Sequence, residues 1–330
     1  MTRREVLATL VTIVATAALP PAASAQSRDK ARLIGWLTGG SPKSHATLLE
    51  AFREGLREHG WIEGRNIRLE LRWAEGNLER LPSLAGELVR LKPDVIVTAA
   101  QPVHLAVRKE TSTIPIVMAT GADPLGAGLV ASLARPGGNV TGLSGFYEAM
   151  PIKTLELVST LIPRGARVVL LGETTSPFVR HPHREQIERT AKTIGVRADL
   201  VEVANAEEMS RAFVAFEKER PAALVVFPGS MIFAVAATMV KSANALRVPA
   251  IYPFEEMVEA GGLMSYSINI RDSYRRAAYY VDRILKGARP GDLPIEQPVR
   301  LTLAVNLKTA KAQGIAIPRE IVLRADRVIE

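Results

Sequence analysis

The chain has 330 residues, of which 47% are hydrophobic and 23% charged, a balance typical of a folded globular protein with about two domains. It contains no cysteine, which excludes disulfides, thiol nucleophiles and Cys-ligated zinc or iron–sulfur sites. The formal net charge of +8 raises the question of a nucleic-acid partner. However, the lysines and arginines are scattered over predicted helices and form no basic block interleaved with aromatic residues, so we expect no nucleic-acid partner.

The first 25 residues have the pattern of a secretory signal peptide. Arg3 and Arg4 precede an apolar run over residues 6–19, and Ala23-Ser24-Ala25 supplies the small residues of a cleavage site. The run is shorter than the roughly 20 residues of a spanning helix, although an uncleaved anchor is the alternative. We predict export to the periplasm with cleavage after Ala25, through either the general or the twin-arginine route.

From residue 31 onward, short apolar stretches alternate with amphipathic ones. Each predicted strand ends in a loop rich in glycine, serine or proline, and each predicted helix has apolar residues three or four positions apart. In the first half, the predicted strands are residues 33–37, 67–71, 94–98 and 114–118, and the predicted helices are 48–60, 81–91 and 101–110. Such alternation predicts a parallel sheet covered by helices on both faces.

The same order of elements returns about 130 residues later. Lys92–Val97 corresponds to Arg220–Val225, and Ile114–Ile116 corresponds to Val248–Ala250, at nearly constant spacing. The predicted strands of the second half are residues 168–171, 197–203, 223–227 and 248–252, and the predicted helices are 184–195, 209–219 and 230–246. The sequence therefore predicts two lobes with one topology.

Two segments at equivalent places, Arg135–Gly142 and Gly261–Tyr266, are expected to cross between the lobes. A helix over Tyr274–Lys286 should pack back on the first lobe, and a strand over Val299–Val305 should join the second. We predict an α/β fold of two doubly wound parallel-sheet lobes joined by a hinge of several crossings, which can bend without unfolding. The predicted first lobe is residues 31–145 plus 267–295, and the second is 146–266 plus 296–330.

Five segments, spread from about residue 31 to the C-terminus, carry motifs of a known family. They are Ala51–Glu58, Arg80–Pro82, Gly128–Ser144, Glu259–Tyr266 and Asn306–Lys311. Together they resemble the bacterial ABC-transporter substrate-binding family typified by tryptophan- and tyrosine-binding proteins. The resemblance implies a type I periplasmic-binding-protein fold and delivery of a small solute to a membrane permease. It fixes no single solute.

Candidate ligand-binding residues follow from the fold class, because ligands of doubly wound sheets bind at loops beyond the carboxyl ends of the strands. These loops contain Gly40, Ser41, Ser44, Ala100, Gln101, Asp123, Thr174, Thr175, Ser176, Ser230, Phe254, Glu255 and Tyr266. Several have a purely structural alternative: the two serines near residue 42 can be helix caps, Asp123 can belong to a turn, and the two aromatic rings can be core residues. Since no arginine lies in these loops, we expect a neutral or zwitterionic ligand.

Enzymatic motifs are absent from the sequence. It has no dinucleotide-binding G-x-G-x-x-G after its first strand, no P-loop and no G-x-S-x-G elbow. The pair His181 and His183 is separated by a proline and lacks a third ligand, so we expect no metal and no cofactor. We predict a monomeric solute-binding protein that docks on an ABC permease. A ligand-sensing subunit of a membrane receptor and a periplasmic α/β enzyme are the alternatives.

Overall fold

Two β-sheets organise the chain in this computed structural model, which describes residues 31–121, 123–145, 150–176, 183–297 and 300–330. The predicted signal peptide, His181, the side chain of His183 and Val299 lie outside the described residues. Among the helices that are described, none combines the length and the apolar character needed to cross a bilayer.

The first sheet has five parallel strands and forms the first lobe. Its strands are β1 (Arg32–Thr38), β2 (Ile67–Trp73), β3 (Val95–Ala99), β4 (Ile116–Thr120) and β5 (Val140–Gly142). They lie in the order β2-β1-β3-β4-β5. Three helices connect them: α1 (Ala46–Glu58), α2 (Leu81–Arg90) and α3 (Gln101–Glu110). Every residue of β3 is buried, as its apolar sequence requires in a sheet covered on both faces.

The second sheet has seven strands and forms the second lobe. Its strands are β6 (Arg167–Glu173), β7 (Arg197–Val203), β8 (Ala223–Val226), β9 (Ala250–Tyr252), β10 (Met264–Ser267), β11 (Thr302–Asn306) and β12 (Arg327–Ile329). They lie in the order β12-β11-β10-β9-β8-β6-β7, and only the β10–β11 pair is antiparallel. The helices of this half are α4 (Met150–Ser159), α5 (His183–Ile194), α6 (Ala206–Lys218), α7 (Ser230–Ala234), α8 (Ala236–Leu246), α9 (Glu255–Glu259), α11 (Leu307–Gln313) and α12 (Arg319–Arg324).

The strand orders confirm the predicted duplication of topology. The first five strands of the second lobe, read from its edge, run β7-β6-β8-β9-β10, which repeats β2-β1-β3-β4-β5. Arg135–Gly142 and Gly261–Tyr266, the segments expected to cross between the lobes, instead contain the fifth strand of each repeated unit, β5 and β10. The chain passes to the other lobe only after these strands. The helix predicted over residues 230–246 is two helices, because the backbone leaves the helical region at Val235 (φ −103°, ψ 14°). The last predicted strand begins at Thr302 rather than Val299.

The helix α10 (Ile270–Leu285) returns from the second lobe and packs on the first, as the sequence predicted. It lies against α1, β3 and β4 and buries Tyr274, Tyr280 and Val281. Gly55 of α1 allows this close packing, because a side chain there would meet the backbone carbonyl of Arg275. Packing of α10 thus places its first turn at the boundary between the lobes.

Candidate functional site

A cavity of about 90 Å³ lies between the carboxyl ends of the two sheets. Its first wall belongs to the first lobe and consists of Thr38, His45, Leu48, Ala99, Ala100, Gln101, Pro102, Thr120, Gly121, Ile270 and Tyr274. Its second wall belongs to the second lobe and consists of Glu173, Thr175, Ser176, Pro228, Gly229, Ser230, Phe233 and Phe254. The site is therefore built by the lobes jointly, and neither lobe contains it alone.

The two walls come from equivalent strand ends. Thr38 ends β1 and Glu173 ends β6, which are the first strands of their lobes. Ala100 follows β3 as Pro228 follows β8, and Thr120 ends β4 where Phe254 follows β9. This correspondence is a direct consequence of the duplicated topology, since parallel strands of one order bring the same loops to one edge.

The lobes touch each other beside the cavity. The ring of His45 lies edge-on to that of Phe233, with centroids 4.7 Å apart, and Phe233 in turn meets Phe254 at 4.9 Å. Gly39 approaches Ser230 so closely that a Cβ on the glycine would lie 2.5 Å from the serine Cβ. The structure therefore shows the lobes in contact around the cavity.

His45 is fixed on both sides of its ring. Its Nε2 lies 2.7 Å from the Thr38 hydroxyl, and its Nδ1 lies 3.0 Å from the Ser44 hydroxyl. Burial lowers the pKa of His45 to about 3, so the ring is neutral at physiological pH. Gly40 makes room for it, because a side chain at that position would overlap the imidazole.

A second buried histidine, His104, supports the loop that starts α3. Its Nε2 donates to the Thr120 carbonyl at 2.9 Å, so its Nδ1 accepts from the Thr98 hydroxyl at 2.8 Å. Burial lowers its pKa to about 4. The loop also holds Ala100 at φ +69°, a conformation that strains a residue with a side chain. Such strain is frequent at ligand sites, and here it precedes Gln101, whose side chain lines the cavity.

Glu173 supplies the one carboxylate among the described residues of the cavity wall. It is only 3% exposed. Its Oε1 accepts from the amide of Ile232 at 2.8 Å, and its Oε2 accepts from the Thr175 hydroxyl at 3.2 Å. Burial raises its pKa, whereas these donors counteract the rise. Among the described residues, no lysine or arginine lines the cavity, and no group of three acidic or histidine side chains is placed to hold a metal ion.

Two serine hydroxyls of the second wall are buried without a partner. Ser176 is 4% exposed and Ser230 is 7% exposed. Neither Oγ has a hydrogen-bond partner within the part of the chain that the structure describes. Because buried polar groups are almost always satisfied, these two hydroxyls are candidates for contact with a polar group in the cavity.

The structure brings six of the predicted site residues to the cavity and places the others elsewhere. The six are Ala100, Gln101, Thr175, Ser176, Ser230 and Phe254. Of the others, Gly40 and Ser44 support His45 from behind, and Ser41 caps the same turn through a 2.9 Å bond from its amide to the Ser44 hydroxyl.

Four predicted residues have other partners. The Asp123 carboxylate accepts from the amide of Gly126 at 2.8 Å, which is turn chemistry. Thr174 is exposed and its amide binds the carbonyl of Val203. Glu255 pairs with Arg327 at 2.5 Å, and Tyr266 lies in a separate groove beside Lys153. None of the four lines the cavity.

Sequence reasoning missed several residues of the wall. Thr38, His45 and Leu48 surround the first loop, Glu173 ends β6, and Phe233, Ile270 and Tyr274 come from helices. Glu173 was within reach of the sequence, because it occupies the position equivalent to the end of β1 and begins the polar loop after β6. The helix residues carry no such signal, since apolar residues on a helix normally indicate core packing.

Comparison with known proteins gives consistent matches. Residues 41–329 match the family described as ABC transporter substrate binding protein. A tyrosine-binding protein of Clostridioides difficile is 28% identical over 263 residues, covering 80% of this chain and 75% of that protein.

Two solved structures are similar over 91% of this chain and 100% of theirs, each at 25% identity. One is an ABC domain from Streptococcus pneumonia in complex with L-Trp, with a TM-score of 0.80. The other is a conserved domain protein from Vibrio cholerae, with a TM-score of 0.82.

Proposed function

The chain belongs to the ABC transporter substrate-binding protein family, and from this premise we propose that it captures an aromatic amino acid in the cavity between its lobes. Proteins of this family work outside the cytoplasm and hand a small solute to an ABC permease. Export by a signal peptide cleaved after Ala25, and action as a monomer, are part of the same proposal.

The observation that carries the proposal is the composition of the cavity wall. Phe233, Phe254 and Tyr274 supply aromatic surface, and Gln101 and the two unpartnered serine hydroxyls supply hydrogen-bonding groups. A mostly apolar pocket with a few placed polar groups suits a small molecule that has a ring at one end and polar groups at the other. The names of the Clostridioides difficile and Streptococcus pneumonia proteins give tyrosine and L-Trp, respectively, which supports the same ligand class.

Capture depends on closure of the lobes. Because the cavity has a wall from each lobe, a ligand makes its full set of contacts only when the lobes meet. Binding therefore shifts the open–closed equilibrium by the difference in affinity for the two states. The permease then recognises the spacing of the lobes in the closed form.

A thermal-unfolding screen tests the proposal. The chain from residue 26 onward is unfolded and refolded to remove any retained ligand, and then titrated with L-tryptophan, L-tyrosine, L-leucine and L-glutamate. A ligand present at 100 times its dissociation constant stabilises the folded protein by about 2.7 kcal/mol. We expect this stabilisation from an aromatic amino acid. Stabilisation by leucine or glutamate alone, or by none of the four, would refute the aromatic assignment.

A further inference from the structure

Three oxygen-bearing side chains, those of Glu173, Ser176 and Ser230, belong to the second wall of the cavity. Glu173 ends β6, and Ser176 follows three residues later in a turn closed by its amide, which donates to the Glu173 carbonyl at 2.8 Å. Ser230 begins α7, whose first amides also bind the Glu173 carboxylate. Gly229 permits this approach, because a side chain there would overlap that carboxylate. One carboxylate and two free hydroxyls thus belong to a single compact arrangement.

The number and type of these atoms suit a primary ammonium group. An alkylammonium has three N–H donors and no acceptor, and it is best satisfied by three oxygens of which at least one is charged. The hydroxyls of Ser176 and Ser230 have no partner in the described chain, whereas the Glu173 carboxylate already accepts from the Thr175 hydroxyl at 3.2 Å and from the first amides of α7. The two hydroxyls therefore have acceptor sites to offer, and Glu173 contributes its negative charge beside them.

The charged side chains of the cavity wall also favour an ammonium group in the ligand. His45 is neutral and no lysine or arginine lines the described wall, so Glu173 is its only charged side chain when ionised. A ligand carboxylate placed against the second wall would be repelled by Glu173, whereas an ammonium would pair with it in a buried setting where charge–charge interactions are strong. The opposite wall offers the neutral amide of Gln101, which can donate to a carboxylate.

We propose that Glu173, Ser176 and Ser230 form an ammonium-binding site, so that the ligand enters the cavity with its amino group toward the second lobe and its carboxylate toward Gln101 in the first. This inference deepens the proposed function and rests on it for the aromatic nature of the ligand. It makes the protein selective for amines over the corresponding carboxylic acids.

Calorimetric titration with matched ligands tests the assignment. L-tryptophan is compared with tryptamine, which lacks the carboxylate, and with indole-3-propionate, which lacks the ammonium. Hydrogen bonds to a charged group correspond to about a tenfold to hundredfold change in affinity. We expect indole-3-propionate to bind at least about tenfold more weakly than tryptamine. Equal binding of the two, or stronger binding of the acid, would overturn the ammonium site.

Single substitutions distinguish this site from a purely structural cluster. Ser176→Ala and Ser230→Ala should weaken L-tryptophan and tryptamine binding by about tenfold and leave indole-3-propionate unaffected. They should leave the unfolding midpoint of the ligand-free protein unchanged, because the hydroxyls have no partner there. Ser265→Ala is the matched control, since Ser265 is also buried and unpartnered but lies in β10, away from the cavity. Wild-type affinity in both serine variants would refute the proposal.

Glu173→Gln tests the charge while it keeps an oxygen for the amide of Ile232. It should reduce the affinity for both amines by at least about tenfold and leave that for indole-3-propionate unchanged or stronger. If Glu173→Gln does not fold, the serine variants decide the matter.

A failure of the aromatic assignment can be distinguished from a failure of the ammonium site. If the wild type binds L-leucine and neither L-tryptophan nor L-tyrosine, the same comparison is made between L-leucine and 4-methylpentanoate. Binding of no amine at all would refute the ammonium site together with the proposed function.

Discussion

The substitution Gly39→Ala is expected to block closure of the lobes, because it places a methyl group where Gly39 faces Ser230. A Cβ at residue 39 would lie 2.5 Å from the Ser230 Cβ and 3.0 Å from its Oγ. The two residues belong to different lobes, so the overlap with Ser230 forms only when the lobes meet. The other near contact of that Cβ is the tip of the Leu78 side chain at 3.3 Å, within the same lobe. The backbone of Gly39 is not in the left-handed region, so alanine is tolerated in the open form.

The size of the effect follows from this distance. Two carbon atoms in favourable contact are about 3.5 Å apart, so the lobes must separate by about 1 Å at this point or the loops must distort. Overpacking of this kind destabilises a well-packed state by about 1–3 kcal/mol. Because the destabilisation falls on the closed form, we expect ligand affinity to fall by about fivefold to 150-fold, mostly as faster dissociation.

Titration calorimetry with L-tryptophan, together with stopped-flow dissociation, measures the loss. Gly138→Ala is the matched control, because a Cβ there meets no atom within 4 Å and its φ is also not left-handed. A second variant, Ser230→Gly, removes the Cβ with which the methyl group introduced by Gly39→Ala would overlap. Gly39→Ala combined with Ser230→Gly should therefore bind like Ser230→Gly alone. Wild-type affinity in Gly39→Ala, or no such rescue, would refute closure through this contact.

Three further predictions concern the walls of the cavity. Ala100→Gly should raise the free energy of unfolding in urea by about 1 kcal/mol, since relief of strain at φ +69° exceeds the entropy cost of glycine; a loss of stability would contradict the strain. His104 has a pKa of about 4 when folded and about 6.5 when unfolded, so only the unfolded chain takes up its proton as pH falls from 6.5 to 4, and stability should fall by about 1.4 kcal/mol per pH unit. His104→Asn should lack that contribution, and an unchanged pH slope would refute it. Gln101→Ala should weaken L-tryptophan binding about tenfold, whereas Tyr266→Ala should not change it, and equal losses would show that the cavity is wrongly bounded.

The sequence contained most of the topology because the strands are short, apolar and separated by glycine and proline. The sequence around the start of a strand recurs in the second half, as in Lys92–Val97 and Arg220–Val225. This recurrence predicted two lobes with the same topology, and the first five strands of each sheet do lie in the same order. The elements that the sequence did not predict are those whose sequence has no clear period. The break at Val235 between α7 and α8 is an example.

The site was only partly predictable, for a geometric reason. The strand-end rule identifies loops that face the cleft, and it led to Gln101 and Phe254, which line the cavity. It does not say which way a side chain turns within its loop. The Asp123 carboxylate turns back to the amide of Gly126, and Tyr266 alternates with Ser265 along β10 and faces the other side of the sheet from it. Residues near the start of α10, such as Ile270 and Tyr274, depend on a helix that returns from the other lobe.

The duplicated fold also supplies a reason for the ligand orientation that we propose. Thr38 and Glu173 occupy equivalent strand ends, yet the Thr38 hydroxyl is occupied by His45 at 2.7 Å, and the Glu173 carboxylate binds the start of α7. The first wall therefore retains neutral groups, whereas the second retains a carboxylate. A symmetric pair of lobes would accept a zwitterion in either orientation with similar energy. Divergence at this pair of positions is the basis of the orientation that we propose, because an ammonium is attracted by a buried negative charge and a carboxylate is repelled by it.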